Sequence, residues 1–204
     1  MICFLDNDIL LKLSACDLLA EFFHTFKFST DDARVLPSAK YFIRKRENRL
    51  ISMYGRAGWR RALDFCGEAA VVEVPDGTEY DLLVGCELID QGEALLIAAT
   101  KVSPDSVLAT SDKNCLRALA ADPALDQVCD RLKRKVICLE RAVHNIIGAT
   151  DFESLKQKIV PVRDCDTALK AAFGSGQRTD RKTATAVLNS YIDDLRSSTK
   201  NLLI

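Results

Sequence analysis

Residues 1–23 read MICFLDNDILLKLSACDLLAEFF, and the fold turns on how this stretch is divided. Ile2 to Leu5 is an unbroken apolar run, the pattern of a strand buried on both faces. It stops at Asp6-Asn7-Asp8. From Ile9 to Phe23 an apolar helical pattern follows, with its polar positions at Lys12, Ser14, Asp17 and Glu21. Two carboxylates at a strand-to-helix junction admit two readings. Asp is a favoured helix cap, and clustered acids are hard oxygen ligands for a divalent cation.

The same alternation continues downstream. Residues 29–32 form a turn or cap cluster, and 34–37 is a short extended segment leading to a helix through Tyr41 and Ile43. Residues 59–66 are helical. Residues 70–74 are a β-branched run closed by Pro75-Asp76-Gly77, a strand and its turn. Residues 80–86 suit a short helix, 92–102 a longer one, 107–110 a buried strand, 114–121 a helix and 136–139 another strand. Strands separated by helices predict an α/β fold with a mostly parallel sheet. In such a sheet ligands gather at the carboxyl ends of the strands, where Asp6 and Asp112 both stand.

With 204 residues, 48% of them hydrophobic, the chain can bury a full core. A formal net charge of -1 gives no global polyanion signal, so nucleic-acid binding requires a local patch. No apolar run approaches the roughly 18 residues of a membrane span, and no basic region precedes one. The expectation is a soluble cytoplasmic protein with no membrane partner. The eight cysteines show no CxxC pair and lie mostly in apolar patterns, as buried reduced thiols do.

Between the two acidic strand ends lies ELIDQGEALLIAATKV (87–102), with Asp90 just before a helix and Glu93 in its first turn. A first-turn carboxylate is favoured by the helix dipole alone. Beside Asp6 and Asp112, Glu93 becomes the third member of a candidate oxygen cage.

Three stretches in order, FLDND, LIDQGEALLIAA and VLATSDKNCLRAL, resemble the PIN-domain nucleases, whose members include toxin ribonucleases of toxin–antitoxin pairs and RNA-processing enzymes. The resemblance covers residues 1–148. It implies a three-layer α/β/α fold there, with residues 149–204 as a helical extension packed on that domain or on a second subunit. It implies metal ligands at Asp6, Glu93 and Asp112, with Asp90 matching the Asp of the family's D-x-G-E segment and Asp8 a further candidate. The implied activity is endonucleolytic hydrolysis of RNA by water activated on Mg²⁺ or Mn²⁺. The implied partners are RNA, an antitoxin or other protein, and a second copy of the chain. One departure stands out: PIN enzymes commonly carry another acid on the helix of VLPSAKYFIRKREN (35–48), and here no carboxylate precedes Glu47.

That helix begins a basic stretch, residues 40–61, whose single acid is Glu47. Arg44, Lys45, Arg46 and Arg49, with Lys113 after Asp112, are candidate phosphate contacts. Tyr41, Phe42, Tyr54 and Trp59 are either base-stacking groups or core. In the extension, residues 180–197 place Ala184, Val187, Leu188, Tyr191, Ile192 and Leu195 on one helical face, capped by Thr179 or Asp180.

Two other readings stay open. FLDND also resembles the D-x-D of haloacid-dehalogenase-type phosphatases, but Leu10 replaces their Thr or Val and no later Gly-Asp strand end follows Ser111. The missing helix acid suits a PIN-fold scaffold that binds without cutting.

Overall fold

The computed structural model describes residues 1–73 and 77–204. Val74, Pro75 and Asp76, predicted as the end of a strand and its turn, lie outside the described residues. β1 (Ile2–Leu5) leads through Asp6 into α1 (Asn7–Ala15) and α2 (Leu19–Phe26). β2 (Ala33–Val35) leads into α3 (Ala39–Lys45) and α4 (Glu47–Glu68), and β3 (Ala70–Val71) is followed by α5 (Gly77–Val84) and α6 (Gln91–Ala99). β4 (Ser106–Ala109) precedes α7 (Lys113–Ala121) and α8 (Asp126–Leu132), and β5 (Val136–Ile137) precedes α9 (Leu139–Ala149). Then come α10 (Phe152–Ile159), α11 (Thr167–Ala172) and α12 (Arg181–Ser197).

The strands form one all-parallel sheet in the order β3-β2-β1-β4-β5. Cys3, Phe4 and Leu5 of β1 and Val107, Leu108 and Ala109 of β4 are buried, which explains their continuous apolar sequences. The helices fall into two packed sets, α1 to α4 with α9 to α12 in one and α5 to α8 in the other, consistent with a helical layer on each face. From central β1 the chain moves outward to β2 and β3, then returns to β4 and β5 on the other side. Neighbouring β1 and β4 therefore feed helices that diverge, and a crevice opens at their carboxyl ends. The Asp6 N–H donates to the Ala109 carbonyl (3.0 Å), pinning the two strand ends together.

The predicted helix over 9–23 is two helices. Asp17 takes a left-handed conformation (φ 55°) and breaks it, although residues 16–18 continue the apolar pattern. Lys12 and Ser14, read as its polar face, are buried. The strand predicted over 136–139 ends at Ile137, because Cys138 is already the N-cap of α9. The helix predicted over 80–86 starts and ends earlier, and that over 92–102 finishes as a 3₁₀ turn at Thr100–Val102.

α4 changes direction at Gly55 (φ 74°, ψ 155°), a conformation that L side chains avoid, so glycine divides the helix in two. Tyr54 and Trp59 are core, while Tyr41 is 67% exposed. α12, capped by Asp180, lays Ala184, Leu188, Ile192 and Leu195 against α9 and α11 of its own chain. Leu203 bridges Val136 at the β5 edge, and the Ile204 N–H donates to the Val136 carbonyl (3.0 Å). All eight cysteines are free thiols, six of them buried. Among the described residues no helix is long and apolar enough to cross a membrane.

Candidate active site

A cleft of about 400 Å³ lies at the carboxyl end of the sheet. It is lined by Asp6, Asp8, Asp90, Glu93 and Asp112, and by Arg46 and Arg49. All five acids singled out in the sequence thus meet in one place, with two of the five candidate basic residues. Arg44 faces a separate groove with Lys40 and Arg60. Lys45 lies over the Tyr41 ring (5.7 Å), away from the cleft lining. Lys113 turns to the buried Glu140, with which it pairs, and covers the Tyr191 ring at 4.8 Å.

The acids are held in different ways. Asp90 and Glu93 form a reciprocal cap on α6: the Glu93 N–H donates to Asp90 Oδ1 (2.8 Å) and the Asp90 N–H donates to Glu93 Oε2 (2.9 Å). Gly92 between them is tightly flanked. A Cβ there would stand 2.9 Å from Leu36 Cδ1 and 3.2 Å from Asp90 Oδ1. Gly92→Ala is therefore expected to destabilise the fold by about 1–3 kcal/mol, measured by urea denaturation, despite alanine's better helix propensity. Asp112 Oδ1 accepts the amides of Asn114 (2.8 Å) and Cys115 (2.9 Å), capping α7.

Asp6 behaves otherwise. Asp90, Asp112, Asp122, Asp151, Asp166 and Asp180 each accept an amide hydrogen at a helix or 3₁₀ start. Asp6 occupies the N-cap position of α1, yet its side chain makes no capping bond. It instead accepts the Thr110 hydroxyl (3.3 Å) across the β1–β4 junction and is buried. Burial, then the Asp8 charge, with a smaller push from Asp90, raises its pKa to about 6 against the partial pull of the Asn7 and Asp8 amides. Burial likewise pushes Glu93 up to about 8, with Asp112, Asp90 and Asp6 adding to it and the Asp90 amide opposing.

Asp8 goes the other way. Burial alone would raise its pKa, but Lys12 and hydrogen bonds from Ser111 and Tyr54 hold it below the usual carboxylate range. The Ser111 hydroxyl donates to Asp8 Oδ2 (2.6 Å) and the Tyr54 hydroxyl to Asp8 Oδ1 (3.1 Å). Lys12 and Ser111 are site residues that sequence reasoning missed, and Tyr54, read there as base-stacking or core, is a hydrogen-bond donor to Asp8. Each looked like ordinary helix, strand-end or core chemistry, and only Ser111, directly before Asp112, carried a positional signal.

Among the described residues no three acidic, histidine or cysteine side chains stand as a ready cation cage. No ion pair reaches Asp6, Glu93 or Asp112 there either; Lys12 pairs with Asp8 and Asp166, and Lys113 with Glu140. No family model, no curated protein and no solved structure matches this chain.

Proposed function

We propose that this chain is a divalent-metal-dependent ribonuclease acting in the crevice between β1 and β4. The observation that carries this reading is Asp6, a buried carboxylate at a helix start that neither caps its helix nor meets a cation of the protein's own. Leaving it charged beside Glu93 and Asp112 is costly unless a cation joins them. Oxygen donors of this kind suit a hard ion such as Mg²⁺ or Mn²⁺, which completes its shell with water and substrate phosphate. Asp6, Glu93 and Asp112 would hold it. When bound, the ion lowers the pKa of a coordinated water, orients the scissile phosphate and offsets charge on the leaving oxygen.

The chain's own residues serve this chemistry. Arg46 and Arg49 line the same cleft as the acids and would attract the phosphodiester backbone. The Arg46 guanidinium lies over the Phe42 ring (4.3 Å), which fixes its plane. Leu36 and Leu50 give the cleft apolar flanks that strengthen charge interactions inside. The choice of RNA rests on the likeness of FLDND, LIDQGEALLIAA and VLATSDKNCLRAL to PIN-domain nucleases.

A second reading is a scaffold that binds RNA without cutting, favoured by the lack of a ready cage and of any acid in residues 35–46. Incubating unstructured RNA with the protein in Mn²⁺, Mg²⁺ or EDTA separates the two. Cleavage is expected with Mn²⁺ above Mg²⁺, since manganese binds oxygen sites more tightly, and none with EDTA. In the Arg46→Glu/Arg49→Glu variant, RNA affinity should fall alike for all sequences, with a salt slope shallower by about 1–2. Binding without cleavage under every metal would leave the scaffold reading standing.

A further inference from the structure

Lys12 lies on the helix face that its sequence assigns to solvent, yet it is buried beneath the acidic cleft. Its ammonium has three oxygens around it: Asp8 Oδ2 at 2.7 Å, Asp166 Oδ2 at 3.0 Å and Ser111 Oγ at 3.3 Å. These come from the start of α1, the cap of α11 and the segment after β4, so the charge is fixed from three separate elements. Asp166 is itself held, its Oδ1 accepting the amides of Ala168 (2.8 Å) and Leu169 (3.2 Å). Both oxygens of Asp8 are taken, one by Tyr54 and the other by Lys12 and Ser111.

We infer that the crevice takes one divalent cation and not two, because the Lys12 ammonium already occupies the cation position beside Asp8. This rests on the reading of the acidic crevice as a metal site. Two-metal hydrolases set their ions about 3.5–4 Å apart and need carboxylates to hold both. Of the two cleft carboxylates left for a second ion, Asp90 gives Oδ1 to the cap of α6 and Asp8 is neutralised by a resident lysine, and a divalent ion beside that lysine meets like charge. Asp8 is thus a ligand of Lys12, and the segment after residue 149 contributes to the site through Asp166.

Removing the ammonium should convert its nest into a cation site, because three hard oxygens then surround an empty position. Titration of the full chain with Mn²⁺, followed by the electron-spin-resonance signal of the free ion, counts the bound ions directly. The expected result is one Mn²⁺ per wild-type chain and two per Lys12→Ala chain. The second ion should be lost again in Lys12→Ala/Asp166→Asn. Asp8→Asn should keep one ion with its Kd within about threefold of wild type. A wild type that binds two ions, or a folded Lys12→Ala that binds one, overturns the inference and leaves the metal-site reading intact. A wild type that binds none overturns both. If Lys12→Ala does not fold, Asp8→Asn decides: a Kd weakened about tenfold or more makes Asp8 a metal ligand and ends the proposal.

Discussion

Asp6→Asn is expected to abolish metal-dependent RNA cleavage, by about 10²–10³-fold or more, while making the metal-free protein more stable. The two effects share one cause. Asp6 is buried among neighbouring carboxylates, and the Thr110 hydroxyl and the Asn7 and Asp8 amides offset this only in part, so its charge is unfavourable in the folded chain. Asparagine keeps an oxygen that accepts from Thr110 and removes the charge. At pH 8 the gain should be about 1–3 kcal/mol, read by thermal unfolding in EDTA. A residue that served only the fold would lose stability on substitution, and one that served only as a cap would lose a little of both. Loss of cleavage with a raised Tm is the pattern of a functional carboxylate held at a cost to stability.

The second large effect concerns pH. Glu93 has its folded pKa raised from 4.5 to about 8, and Asp6 from 3.8 to about 6. In both cases the folded state binds its proton more tightly than the unfolded chain. Their contribution is fully present below the unfolded values and is lost as pH rises through 6 and then 8. Metal-free protein should therefore lose stability on the order of 3–5 kcal/mol between pH 4 and pH 8.5. Asp8, whose pKa is lowered, acts in the opposite direction and only at more acid pH. Glu93→Gln keeps an acceptor for the Asp90 amide and should flatten the upper part of the curve. Saturating Mn²⁺ should flatten it as well, because the ion binds the deprotonated carboxylates and its affinity rises with pH. A metal-free stability that climbs from pH 5 to pH 8 would show that Glu93 and Asp6 are not the strained pair described.

Much of this site was legible because its signals are local. Ile2 to Leu5 and Val107 to Ala109 announce themselves as doubly buried parallel strands, and Asp6 and Asp112 follow them directly. Alternating strands and helices put both acids at the same end of the sheet. Lys12 was not legible, since its polar position in an apolar helix reads as solvent-facing until Asp166, far along the chain, is folded against it. The break at Asp17 was hidden for a similar reason: Cys16 and Leu18 extend the apolar pattern straight through a residue of opposite backbone hand. The basic run misled by its density. α3 ends at Lys45 and α4 begins at Glu47, so four neighbouring cations part company, and only Arg46 and Arg49 look into the cleft.

The two margins of the sheet bear on how copies of this protein meet. An open strand edge offers unpaired amides and carbonyls to any other chain, and long flat edges nucleate fibrils. Here β3 presents only Ala70 and Val71, and on the opposite side Leu203 and Ile204 fold back over Val136. Among the described residues neither margin offers a long template for strand-to-strand growth. Sheet-like aggregates from this protein are therefore expected from molecules whose margins have come undone.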